Sequence, residues 1–251
     1  MEIRNADDDI IIVDAGTGIR ALGNRLIEEG RFSYHFLFTH GHWDHVMGFP
    51  FFKPIFYPET SLQMHRCPFA SKFVETILKK VMTPPNFPVK YSEIKATMIH
   101  EDACPMTFQI GGMTVEPIRL SHPNGGSGYK FIEDGKSFVF LTDNELGFIH
   151  ANGLGRDDYL KFCRGADLLI HDAEFTAEEY LETIEWGHTV YTEALALAVD
   201  AGVRQFGLFH LNQERTDDQV DDMVDECRRR IDHAGHEMAC FAVGTGTTVD
   251  L

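Results

Sequence analysis

Basic residues are scarce in this chain: 22 lysines and arginines stand against 39 aspartates and glutamates, a net charge of −17 over 251 residues. A long polyphosphate is normally held by a basic stripe that releases counterions, so extended nucleic acid is disfavoured as a partner. A small phosphate ester stays open, because a pair of divalent cations would reverse the sign locally. Cysteine is thin as well. Cys67, Cys104, Cys163, Cys227 and Cys240 are odd in number, widely spread and without a C-x-x-C, which argues against a disulfide framework and against a thiolate metal site. Reduced, mostly buried thiols are expected. Long apolar runs are missing too: none approaches the roughly 18 residues of a membrane span. Met1-Glu2-Ile3-Arg4-Asn5 lacks the charged-then-apolar pattern of a signal peptide. A soluble, cytoplasmic chain with no membrane partner is the expectation.

What is present alternates between strand and helix patterns. Asp9 to Val13 reads as a fully buried strand, Gly16-Thr17-Gly18 as a turn, Ile19 to Glu29 as an amphipathic helix stopped by Gly30, and Tyr34 to Phe38 as the next strand. Residues 50–90 carry seven prolines around one helix, Phe69 to Met82, and read as an irregular lid or specificity insert. Gly111-Gly112 between Met106–Ile110 and Met113–Leu120, and Asp134-Gly135 between Tyr129–Glu133 and Lys136–Leu141, are hairpin signals. The last third predicts a strand Asp167 to Ile170, a helix Thr189 to Ala201 closed by Gly202, and a strand Gln205 to Phe209. A helix Asp217 to His233 follows, then a closing hairpin of Met238–Val243 and Thr247–Leu251. No repeat or long linker interrupts it, so 1–251 reads as a single domain.

The chemistry concentrates where the second strand ends. Thr39-His40-Gly41-His42-Trp43-Asp44-His45 packs three imidazoles and a carboxylate into six residues. Histidines two apart cannot share a helix face, but in a turn leaving a strand they can point into one crevice, where α/β sheets hold ligands. Three more polar residues fall at strand ends: His122 after Ile118-Arg119-Leu120, Asp143 after Phe138–Leu141, and His210 after Phe206–Phe209. A lone histidine there is usually a structural or capping residue; three such positions beside an H-x-H-x-D-H run point to a metal site.

These residues resemble the metallo-β-lactamase fold superfamily of binuclear metallohydrolases, over Ile10 to Leu251. The resemblance implies an α/β fold, a four-layer αβ/βα sandwich. It also implies two divalent metal ions, His40, His42 and His122 holding the first, Asp44, His45 and His210 the second, and Asp143 bridging both. Asp14 would support the ligand loop from behind. Imidazole and carboxylate donors without thiolate suit zinc, with manganese or iron as alternatives.

His171-Asp172-Ala173-Glu174-Phe175 and Gly187-His188-Thr189 are similar to a phosphodiesterase subgroup. That subgroup contains the tRNA 3′-processing ribonucleases and small cyclic-nucleotide phosphodiesterases. The likeness implies that His188 is a proton donor oriented by Glu174, so that Asp44, His188 and Glu174 are the catalytic side chains. The other reading of His188 is a neighbour of the cap of the 189–201 helix; the proton-donor role is preferred because a phosphoester leaving group benefits from a general acid. Two departures narrow the expectation. The subgroup's glycine-rich first strand before the segment matching Glu2-Ile3-Arg4 is missing, and the 50–90 insert is short and proline-rich where the ribonucleases carry a long arm. A small phosphodiester such as a cyclic nucleotide, attacked by dimetal-activated hydroxide, is therefore the expected substrate. The alternatives are an ester, lactone or thioester hydrolase on the same site, and a non-hydrolytic binding or signalling protein that retains the metals. Gly48-Phe49-Pro50-Phe51-Phe52 suits a pocket lining, core packing or a homodimer contact, and His35, His65, His100, His150, His171, His233 and His236 read as structural or surface residues.

Overall fold

A computed structural model describes residues 1–65, 69, 71–101 and 105–251, with the backbone alone at 71–73. The reduced-thiol expectations for Cys67 and Cys104, and Ala70 near the start of the 69–82 helix, lie outside the described residues. The chain divides into two compact units, Met1–Thr114 and Val115–Leu251.

The first unit is built on a five-stranded sheet, β1 (Glu2–Arg4), β2 (Ile10–Val13), β3 (Ser33–Leu37), β4 (Ser61–Met64) and β5 (Thr97–His100), in that spatial order. β1 pairs antiparallel with β2, and the rest are parallel. β2 is apolar at every position because both its faces are buried, as a parallel interior strand demands. α1 (Ile19–Glu28) lays Ile19, Gly23 and Leu26 on the core, and Gly30 just past its end takes the left-handed φ of +70°. The core is aromatic: Phe36 meets Phe49 and Phe52 edge-on at centroid separations of 5.9 and 5.6 Å. α2 (Trp43–Val46) is a single turn after β3, and α3 (Ser71–Val81) precedes β5. The 50–90 segment thus holds more regular structure than its prolines suggest. It contains β4, α3 and short 3-10 turns, and it contributes Phe52, Ile55, Leu62 and Leu78 to the core.

The second sheet has seven strands: β6 (Phe108–Ile110), β7 (Met113–Arg119), β8 (Ser127–Glu133), β9 (Lys136–Leu141), β10 (Leu168–Asp172), β11 (Gln205–Phe209) and β12 (Ala239–Ala242). Their spatial order is β12-β11-β10-β9-β8-β7-β6. In the second unit lie α4 (Arg156–Cys163), α5 (Ala177–Thr183), α6 (Tyr191–Ala201) and α7 (Asp217–His233). Small residues on α6, Ala194 and Ala198, let it approach Leu169, Phe206 and Leu208 in that core. β9 to β12 run parallel, so Leu141, Asp172 and Phe209 end at one edge.

Three expectations change. The closing hairpin does not form: β12 pairs parallel with β11, and among the described residues Thr247–Leu251 make no strand. α7 already supplies the crossover that a parallel strand needs. β10 runs on through His171 and Asp172. α6 starts at Tyr191, not Thr189, because the Thr189 amide and hydroxyl are drawn to Asp172 and Asn144, which holds the chain extended. Cys163, Cys227 and Cys240 are free, buried thiols. Burial pushes the Cys163 thiol up to about 12. Among the described residues no helix is long and apolar enough to cross a membrane.

Candidate metal centre

In the first unit the polar cluster grows from the carboxyl ends of β2 and β3. Asp14 follows β2 directly, with the left-handed φ of 62° that a non-glycine residue takes only under constraint. Its amide is held by the Leu37 carbonyl. Its carboxylate accepts from the Thr39 amide at 2.8 Å, the Thr39 hydroxyl at 2.7 Å and His45 Nδ1 at 2.9 Å. Since the Thr39 proton goes to Asp14, its oxygen accepts from His40 Nδ1 at 3.1 Å. Both rings therefore carry their proton on Nδ1, and Nε2 is the lone pair each presents as a ligand. His40 and His42 meet edge-on with centroids 4.5 Å apart, and His45 Nε2 lies 3.0 Å from Asp44 Oδ2. The motif is not wholly a loop: His40 and His42 precede the helical turn, His42 with extended backbone, whereas Asp44 and His45 ride the single turn of α2.

The second unit repeats this arrangement. His122 Nδ1 donates to the Gly187 carbonyl at 2.9 Å, and His210 Nδ1 donates to Glu174 Oε2 at 3.1 Å. The acceptors are oxygens that cannot donate, so both rings again present Nε2. Those two nitrogens lie 3.8 and 3.5 Å from the same atom, Asp143 Oδ2. Donor atoms sharing a tetrahedral zinc at about 2.1 Å stand about 3.4 Å apart, so these separations leave room for a cation beside that oxygen. Asp143 and His210 also sit at positive φ, 50° and 53°, just beyond β9 and β11. Asp143 is 1% exposed. A buried carboxylate among imidazoles is costly unless hydrogen bonds or cations compensate it. The donor chemistry, the four rings with their Nδ1 protons fixed and the shared oxygen of Asp143 fit divalent cations.

His188 stacks on His210, ring centroids 4.6 Å apart and planes 20° off parallel. Its Nδ1 donates to Asp172 Oδ2 at 2.6 Å, with Glu174 Oε2 at 3.2 Å. Glu174, expected to orient His188, is shared with His210, and the shorter bond belongs to Asp172. Asp172 Oδ1 also accepts from the amides of Thr189 and Glu174. Burial alone would lower the His188 pKa. The hydrogen bond and charge of Asp172, together with the Asp143 charge, outweigh it and raise the pKa above the ordinary value. Asp172, His188 and His210 each offer a ligand atom within 4.8 Å of the others, a trio that could itself hold a cation.

Asp172 and Thr39 stand inside the two motifs, yet the sequence assigns them no role; their place at strand ends is the available signal. His171 is fully buried, its Nδ1 donating to the Asp172 carbonyl and its Nε2 accepting from Asn144, and desolvation lowers its pKa. His65 is buried between His35, 2.8 Å away, and Glu101.

Comparison with known proteins places the chain. The model of the "Beta-lactamase superfamily domain" matches residues 10–211. Ribonuclease Z of Oceanobacillus iheyensis is 24% identical over 236 residues, covering 76% of this chain and 75% of the relative. Among solved structures, the metallo-beta-lactamase fold protein YhfI from Bacillus subtilis superposes with a TM-score of 0.68 at 17% identity, over 97% of this chain and 88% of that one. A new diphosphatase from the PhnP family gives 0.67 at 17% identity, over 98% and 82%. These likenesses show the fold, the αβ/βα class that the motif resemblance implied.

Proposed function

The chain belongs to the beta-lactamase superfamily and is a metal-dependent hydrolase of that group, and from that premise we propose that it is a cytoplasmic phosphodiesterase acting on a small phosphodiester such as a cyclic nucleotide. Residues 1–251 work in this reading as one hydrolase domain, with His40, His42 and His122 holding one divalent cation, Asp44, His45 and His210 another, and Asp143 both. Zinc suits the donor set, with manganese or iron as alternatives. When bound, such a pair supplies a water of lowered pKa and neutralises charge developing at phosphorus.

The chain's own residues do the rest. The observation that carries the reading is the bond from His188 Nδ1 to Asp172 at 2.6 Å, beside the Asp143–His210 pair. With Nδ1 held by a carboxylate, the Nε2 face of His188 is the one able to give a proton. Water loses one proton to solvent as its oxygen bonds to phosphorus, the bond from phosphorus to the leaving oxygen breaks, and the His188 proton passes to that oxygen, yielding a phosphate monoester and a free hydroxyl, both on one molecule when the substrate is cyclic. Asp172 stabilises the charged ring and fixes its orientation, and Glu174 links His188 to His210. A thioester, whose thiolate leaves without protonation, would need no such acid, which weighs against that alternative.

A second reading is carried by the relatives: several are named ribonuclease Z, which speaks for a tRNA-like substrate and against the charge argument that set long nucleic acids aside. The net charge of −17 and the absorption of 50–90 into a sheet and core support the smaller substrate. One experiment ranks them. The purified, metal-loaded protein is offered cyclic mononucleotides, bis-p-nitrophenyl phosphate, p-nitrophenyl acetate and a precursor tRNA, with and without chelator. Chelator-sensitive turnover with the highest kcat/KM on a cyclic mononucleotide supports the proposal. Preferred cleavage of the tRNA 3′ end replaces it with the ribonuclease reading, and preference for the acetate replaces it with the carboxylester one.

A further inference from the structure

Glu145 stands two residues beyond Asp143, and its residue is 1% exposed. Its carboxylate collects four hydrogen bonds from three separate segments. Oε1 accepts from the Tyr180 hydroxyl at 2.6 Å and the Glu185 amide at 2.9 Å. Oε2 accepts from the Gly187 amide at 2.8 Å and His150 Nε2 at 2.8 Å.

Two of those donors are backbone amides of the stretch between α5 and α6, which carries His188. Thr189 and Val190 are held by Asp172, Asn144 and a bridge to Phe175, but the residues before them form no helix or strand: Glu185 and Gly187 both take positive φ, 74° and 97°, on either side of Trp186. Amides in such a loop normally turn to water. Here they turn inward to one carboxylate, and the following peptide group, the one that joins Gly187 to His188, is tied as well, the Gly187 carbonyl accepting from His122 Nδ1. The next side chain along is His188. Gly187 has no room for anything larger, since a Cβ there would lie 2.1 Å from His122 Nδ1. Burying a carboxylate is costly unless its lone pairs are filled, and here four donors fill them.

We infer that Glu145 is a positioning residue: through the Glu185 and Gly187 amides it sets the peptide from which His188 reaches toward the leaving group. The inference rests on the phosphodiesterase reading for its kinetic consequence, though not for its structural one. Glu145 touches no reacting atom; it acts through Gly187 and His188.

Two variants test it, Glu145→Gln, which turns an amide NH2 toward the donors, and Tyr180→Phe, which removes a single donor and leaves the carboxylate in place. Misplacing a catalytic group by about 1 Å costs up to about 100-fold. E145Q is therefore expected to lower kcat on an alkyl-alkoxide leaving group by about 10- to 100-fold, with KM and metal content held and p-nitrophenolate release changed less than about threefold. Y180F should show the same split at about two- to fivefold. In parallel, NMR amide exchange at Glu185 and Gly187 should be slow in the wild type and at least about tenfold faster in E145Q, with α6 amides unchanged. Equal losses on both leaving groups, loss of metal, or unchanged exchange in the variants would overturn the role. If E145Q does not fold, Y180F decides by the same criteria. If wild-type protein hydrolyses neither phosphodiester, the phosphodiesterase reading fails and the exchange result alone decides whether Glu145 sets the loop.

Discussion

Asp172→Asn isolates the bond that orients His188. The change is nearly isosteric at a side chain with no exposed surface, and Oδ1 keeps its two amide donors, Thr189 and Glu174. Only the Oδ2 side alters, where an NH2 now faces His188 Nδ1–H across 2.6 Å. Two donors cannot share that contact, so the Nδ1 proton is left with the longer approach to Glu174 Oε2 at 3.2 Å, and the ring loses the closest carboxylate that orients it and stabilises its charged form. A hydrogen bond to a charged group is worth about 1.5–3 kcal/mol, which at about 1.4 kcal/mol per decade predicts a loss of about 10- to 150-fold in kcat on an alkoxide leaving group. Release of p-nitrophenolate should change little. The pH profile has a definite sign as well. Asp172 raises the His188 pKa, and a general acid loses activity as pH rises through its pKa. The high-pH limb of the variant should therefore move to lower pH. The assay is steady-state turnover of a cyclic mononucleotide against bis-p-nitrophenyl phosphate, with metal per chain measured by mass spectrometry. A loss of metal, or equal losses on both substrates, would sink this argument. Asp172, His188 and His210 would then be a ligand trio, as their mutual distances under 4.8 Å permit.

His188→Ala should leave metal content unchanged while reducing kcat on alkoxide leaving groups by about 10²–10⁴, checked by the same substrate pair; metal loss would reassign the ring to ligation. Asp143→Ala removes the oxygen that lies 3.8 and 3.5 Å from His122 and His210 Nε2, so occupancy should fall at both metal positions, and two metals retained per chain after dialysis would contradict the shared role. Gly187→Ala forces a side chain into φ +97° and against His122, so the melting temperature should drop by an amount equivalent to about 1–3 kcal/mol, with weaker metal binding in equilibrium titration. An unchanged Tm would show that the loop relaxes around the new methyl group.

Much of the site could be read in the linear chain because its residues follow apolar strands, from one position beyond β11 to eight beyond β3, and strand patterns are local. The β2 and β3 runs, and those of β9 and β11, announce their ends in sequence, so His40 to His45, Asp143 and His210 could be proposed from their neighbours. β4 and β5 were missed for the opposite reason. Ser61-Leu62-Gln63-Met64 and Thr97-Met98-Ile99-His100 are short and mixed in polarity, and they become strands only through parallel pairing with β3 and with each other. The expected C-terminal hairpin failed likewise: Gly244-Thr245-Gly246 does signal a turn, but pairing with β11 had already fixed the direction of β12.

Residue order determined which chemistry the protein can perform, since imidazoles and carboxylates without cysteine at strand ends admit hard or borderline divalent cations and exclude thiolate sites. Tertiary structure decided which acid serves which ring. In sequence, Asp172 and Glu174 are equivalent neighbours of His188, fourteen to sixteen residues away, and Glu145 is a remote glutamate without a motif. Asp172 closes β10, a strand buried at every position, where its side chain has no exposed surface and meets His188 at 2.6 Å. Glu174, two residues on and past the strand, divides its oxygen between His188 and His210. Such partnerships depend on angles and on distances of a few ångströms set by packing across separate strands, and no local pattern along the chain encodes them.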